Sequence, residues 1–104
     1  MLSHHRDGTT VTFKLEGVLD AMTAPAIQQE LDSLLAEADF MRVVFDLASL
    51  RLIDSRGVAV LVAIYKRGRA TGQRVTVTGL RQQPLVLFKL LRLGRVLCDP
   101  PLAD

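Results

Sequence analysis

A mixed β-sheet with helices mainly on one face, an α/β fold, is predicted by three observations. Segments alternating apolar and polar residues are interleaved with segments whose apolar residues recur every three or four positions. The first spacing is that of a half-buried strand and the second that of an amphipathic helix. The chain is 49% hydrophobic and 23% charged over 104 residues, enough apolar mass for one core and too little length for two. With no Trp and few aromatic residues, that mass is Leu, Val, Ile and Ala, which suits helices packed on a sheet. One domain spanning residues 1–104 is expected.

Thr9 to Glu16 places Val11, Phe13 and Leu15 on one face and Thr10, Thr12 and Lys14 on the other, as a strand does. Gly8 turns the chain back to a short edge strand around Leu2 to Arg6, whose adjacent His4 and His5 point to opposite faces and cannot readily share a metal. Thr23 is the expected N-cap of a first helix, with Pro25 in a first turn where its missing N–H costs little. Ile27, Leu31, Leu34, Leu35 and Ala38 form the helix's apolar stripe. Arg42 to Leu47 follows as a strand, and the run Val43, Val44, Phe45 predicts burial on both of its faces.

Asp54 is the expected N-cap of a second helix, Ser55 to Arg69, with Val58, Leu61, Val62 and Tyr65 facing the core and Gly72 ending it. Val75 and Val77 alternate with threonines as a further strand. A third helix from about Gln82 to Leu91 is expected to bury Leu87, Leu90 and Leu91, and Val96 and Leu97 to form a closing strand or turn before Pro100 and Pro101. Right-handed crossovers between parallel strands put the helices predominantly on one side.

The charge pattern demands no particular class of partner. A net charge of +2 spread among alternating acids and bases calls for no polyanionic partner, and the scarcity of aromatics argues against a base-stacking surface. The densest basic stretch, Lys66, Arg67, Arg69 and Arg74, reads as a solvated helix end, with a phosphate- or lipid-binding patch as the alternative. Cys98 is the single cysteine, so neither an internal disulfide nor a thiolate metal cluster can form. Neither a signal peptide's apolar stretch nor a run long enough to span a membrane is present, so a cytoplasmic protein without membrane insertion is expected. No cofactor and no metal site are expected.

The informative segment runs from Val43 to Leu61: Val-Val-Phe-Asp-Leu-Ala-Ser-Leu-Arg-Leu-Ile-Asp-Ser-Arg-Gly-Val-Ala-Val-Leu. Asp46-Leu47, then Ile53-Asp54-Ser55 and Gly57, then Tyr65-Lys66, resemble the signature of the STAS family. Glu16 to Asp20 and Gly72 to Val77 extend the resemblance to nearly the whole chain. The family fold is the mixed sheet that the periodicity predicts independently. The resemblance further implies an anti-sigma factor antagonist, a non-enzymatic protein-binding switch in transcription regulation. Its partners are an anti-sigma factor serine kinase, which phosphorylates the Ser of the turn, and a phosphatase that reverses it. The matching phosphoacceptor is Ser55, and Asp20, Asp54, Ser55, Arg56 and Gly57 are the expected partner-binding residues. On general grounds a phosphate at a helix start meets backbone N–H groups and the positive end of the macrodipole, while the partner meets about two new negative charges.

Two departures stand out. Arg56 occupies the position where the family commonly has a second hydroxyl, so it can pair with a phosphate, contact an acidic partner or block the usual kinase. Arg92 stands where the family often has Gly, which leaves the end of the third helix open. Taken without the resemblance, Asp54-Ser55 is also ordinary helix capping. A second function keeps the fold and drops the switch: a fixed subunit stabilising a transporter ATPase, as in phospholipid-trafficking complexes. An enzyme is disfavoured, since Ser55 lacks a His and an acid at motif spacing and no Gly-x-Ser-x-Gly elbow surrounds it. Cognate partners, upstream signal and oligomeric state are not written in the sequence.

Overall fold

In the computed structural model, which describes residues 1–102, the alternating segment forms β2 (Thr10–Leu15), and Gly8 at φ +61° turns it back onto β1 (Leu2–Asp7). These two strands pair antiparallel, while β2 pairs in parallel with β4 (Arg42–Asp46), and β4 with β6 (Arg74–Thr78). The four-stranded sheet therefore has the order β1-β2-β4-β6 and mixed direction. Its core face carries Val11, Phe13, Leu15, Val43, Phe45, Val75 and Val77, all buried. Phe13 and Phe45, neighbours in register, stack with centroids 5.6 Å apart. Helices α1 (Ala24–Ala36) and α2 (Ser55–Thr71) supply Ile27, Leu31, Leu35, Val58, Leu61 and Ile64 to the same core.

A second, two-stranded sheet continues the first beyond the carboxyl ends of its parallel strands. It pairs β3 (Gly17–Leu19) in parallel with β5 (Leu50–Ile53), and neither was set apart as a strand by periodicity. Helix α3 (Gln82–Leu90) packs against β5, and the one-turn α4 (Gly94–Leu97) leads to Cys98, which is buried and bridges to Val77 on the outer edge of β6. Where a closing strand or turn was expected at Val96 and Leu97, the chain forms a short helix followed by a single bridge.

Three further expectations are corrected. Val44 is half-buried, because it points to the open face of the sheet between Thr12 and Thr76 in register. In α3 the buried side chains are Pro84 and Phe88, whereas Leu87 is half-buried and Leu90 and Leu91 are exposed, Leu90 by 73%. Thr23 sits at the N-cap of α1 but makes no side-chain cap; its hydroxyl accepts from Asp20 N–H at 3.0 Å and donates to Val18 C=O at 3.1 Å. The departure at Arg92 has a clear backbone counterpart. Arg92 takes φ +56°, the left-handed region that glycine occupies without penalty, just past the end of α3.

Candidate functional site

Two turns meet at the carboxyl ends of β3 and β5, where open parallel sheets generally offer their loops for function. Asp54 holds them together. Its backbone is extended (φ −113°, ψ −175°), as an N-cap residue requires, and Oδ1 accepts from the Gly57 N–H at 3.0 Å. Oδ2 accepts from the Ala21 N–H at 3.1 Å, across 33 residues of sequence, while the Asp54 N–H donates to Leu19 C=O at 3.2 Å. One carboxylate thus starts α2 and pins the turn that starts α1. The bond from Gly57 N–H, helped by those from Ala21 and Arg56 N–H and by the Arg56 charge, holds the Asp54 carboxyl below its ordinary pKa against the opposing effect of desolvation. Asp54 is therefore ionised throughout the neutral range.

Asp20 organises the other turn. Its Oδ1 accepts from the Met22 N–H at 3.0 Å and the Thr23 N–H at 3.1 Å, an Asx turn that leads the chain into α1. Asp20 is therefore near the Asp54 turn, joined to it through the backbone of its neighbours Leu19 and Ala21. Gly57 is buried, and a Cβ there would lie 2.5 Å from Leu19 C=O and 2.7 Å from Ile53 Cγ1. Its backbone has to come that close for α2 to rest on β3, so Gly57 shapes the site from beneath.

Ser55, the first residue of α2, and Arg56 are both exposed. Among the described residues no side chain hydrogen-bonds the Ser55 hydroxyl, which leaves it open to another molecule. Met22, 88% exposed, sits on the neighbouring turn, and Arg56 reaches over a groove of about 300 Å³ between the two helices, lined by Ala21, Pro25, Gln28 and Ala59.

One residue that sequence reasoning left without a role is Gln83. Its side-chain amide accepts from Ile53 N–H at 2.9 Å and donates to Ile53 C=O at 2.8 Å, fixing the residue before Asp54 from α3. Arg81 adds a bond of 2.9 Å from Nε to Ala48 C=O. No local pattern announces such side-chain-to-backbone pairs, which join segments about 30 residues apart. Among the described residues no group of three or more His, Cys, Asp or Glu is placed to hold a metal ion. None of their helices is long and apolar enough to cross a membrane.

A small domain with a mixed sheet and an aspartate-capped helix that carries an exposed serine at its start is an α/β domain of one recurrent kind. The chain belongs to the STAS domain family: the pattern described as "Mlab, STAS domain" matches residues 2–99. Solved structures agree on the fold. An anti-sigma factor antagonist from Mycobacterium paratuberculosis is 22% identical, with TM-score 0.77 over 93% of this chain and 81% of that one. The Bacillus cell fate determinant SpoIIAA in its phosphorylated form is 20% identical, with TM-score 0.68 over 100% of this chain and 90% of that one. A crystal structure of Mglu is 28% identical with TM-score 0.66, over 78% of this chain but 20% of that one.

Proposed function

We propose that the chain is an anti-sigma factor antagonist, a protein-binding switch in which phosphorylation of Ser55 ends binding to an anti-sigma factor serine kinase. The observation that carries the proposal is an exposed, unengaged hydroxyl at the first position of α2, on a turn already locked by Asp54. The kinase transfers the γ-phosphoryl group of ATP to Ser55 Oγ, giving ADP and releasing the hydroxyl proton, and a phosphatase hydrolyses the ester to inorganic phosphate. Neither step asks the domain to unfold. The Asp54 carboxylate already engages the Gly57 N–H, so a phosphate on Ser55 is repelled from that corner and projects outward beside Arg56. Its charge of about −2 then lies where the partner surface had met a neutral hydroxyl. Asp20, Asp54 and Gly57 hold this surface in shape, while Ser55 and Arg56 touch the partner. Cytoplasmic operation follows from the partners proposed.

The test is incubation with ATP and the serine kinase encoded nearest to this chain's gene, with mass spectrometry of Ser55 and calorimetric titration of each form. The phosphorylated protein is expected to bind at least about tenfold more weakly, a change near 1.4 kcal/mol. Ser55→Ala should bind like the unmodified protein and take up no phosphate, and Arg56→Ser should change phosphorylation rate or partner choice while stability stays within about 0.5 kcal/mol. Equal binding by unmodified protein, Ser55→Ala and Ser55→Asp, with no modification of Ser55, would sink the switch. A second reading, a fixed subunit stabilising a transporter ATPase, then leads. It is favoured by one observation, Arg56 in place of the usual second hydroxyl, since a constitutive interface has no need of a modifiable pair.

A further inference from the structure

The basic run near the end of α2 is sorted by the fold into two parts. Arg67 turns to α1, where its Nη1 lies 3.1 Å from Asp32 Oδ1. Arg69, from the last turn of α2, and Arg74, from the start of β6, instead converge with Arg95 of α4 on one groove of about 410 Å³, which Tyr65, Gln73 and Thr76 also line. Among the described residues lining this groove there is no acid, and neither Arg69 nor Arg74 forms an ion pair with a described residue. Arg42 stands beside Arg74 in register on β4, so a fourth cation belongs to the same end of the sheet.

The helix dipole accounts for a cation in the last turn of α2 or α4, but not for Arg74, which β6 brings to the same concavity. Like charges gathered in a concavity repel one another and focus a positive field outward, which raises the local concentration of anions. Arg69 lies against Tyr65, its Nη1 3.4 Å from the Tyr65 hydroxyl and its Cζ 6.0 Å over the Tyr65 ring, a weak contact that biases its orientation. Guanidinium forks match the geometry of phosphate oxygens bidentately, and the Thr76 hydroxyl and Gln73 amide are neutral donors in the same wall. The volume falls within the usual range of small-ligand sites, roughly 300–1,000 Å³.

We propose that this groove binds a multiply charged phosphate group, carried either by a soluble phosphate ester or by a lipid headgroup. The site is separate from Ser55 and does not rest on the switch. The probe is inorganic tripolyphosphate, titrated into the ¹⁵N-labelled protein at fixed ionic strength. Saturable shifts confined to the amides of Gln73, Arg74, Thr76 and their neighbours are expected. The double variant Arg69→Gln/Arg74→Gln, both side chains being exposed, should lose affinity at least about tenfold, and Tyr65→Phe, which keeps the ring and drops the hydroxyl, should lose less. Removing the same charge elsewhere, in Arg51→Gln/Lys89→Gln, should leave affinity unchanged. Phosphatidylcholine vesicles with and without phosphatidic acid separate the sources: capture by the acidic vesicles with the same shifts assigns a headgroup, and tripolyphosphate binding without capture assigns a soluble ester. Shifts scattered over all basic residues, or equal affinity in wild type, the groove variant and the Arg51/Lys89 variant, would overturn the proposal.

Discussion

The four-stranded sheet and the two-stranded sheet β3–β5 are adjacent, yet they are kept in place by different means. In the larger sheet, side chains from alternate positions of β2, β4 and β6 fill one interior with Leu31, Leu61 and Ile64, and no single polar contact decides the register. In the smaller one the strands have three and four residues, and much of the constraint comes from individual polar atoms: Asp54 to Ala21 and Gly57, and Gln83 to Ile53. Apolar area is non-directional and forgiving of small shifts, whereas a hydrogen bond holds an atom to a few tenths of an ångström. The division is what the proposed switch would require, a stable platform and a turn presented in one geometry.

Three substitutions sharpen that contrast. Leu61→Ala removes a fully buried side chain from the interior shared by α2 and the larger sheet, and is expected to cost about 2–5 kcal/mol in denaturant unfolding. An unchanged unfolding midpoint would mean that α2 is not seated on the sheet as described. Gly57→Ala acts at the smaller sheet. Its Cβ meets a backbone carbonyl and not a flexible side-chain tip, so a cost of about 1–3 kcal/mol is expected, with shifted amide resonances for Leu19, Ala21 and Asp54. A stable Gly57→Ala with unmoved resonances would show that the two turns are less tightly joined than Asp54 implies. The smallest effect has the opposite sign. Arg92→Gly relieves a left-handed backbone at the end of α3, partly offset by the freedom glycine gains when unfolded, so thermal unfolding should report a gain of about 1 kcal/mol or less.

The same contrast explains what could be read before folding. Val11, Phe13 and Leu15, Ile27 and Leu31, and Val75 and Val77 lie in the core because their spacing states which face is wet. Where apolar residues run together the phase is lost. Val43, Val44 and Phe45 suggested burial on both faces, and only the threonines in register on either side show that Val44 is on the open one. Between Leu85 and Leu91 six of seven residues are apolar, so nothing local chooses Phe88 over Leu90 for the interior. At the candidate site, Asp54, Ser55 and Arg56 were visible as a capped helix start within a resemblance, which also named Asp20 as one of the same set of residues. Gln83 was not visible, because a side-chain amide bonding the main chain of a distant residue leaves no periodic trace.

That amide has a consequence for how molecules of this protein behave toward one another. Successive residues of an extended strand direct their N–H and C=O groups to opposite edges. Asp54 N–H turns toward β3, and Ile53 accordingly directs both its groups outward, where an unpaired edge would template a strand from a neighbouring chain. Gln83 occupies both groups at once and acts as a false strand one residue long. A short β5 can therefore stand at the rim beside Ser55, exposed to partners through its side chains, without offering Ile53 as a seed for edge-to-edge aggregation.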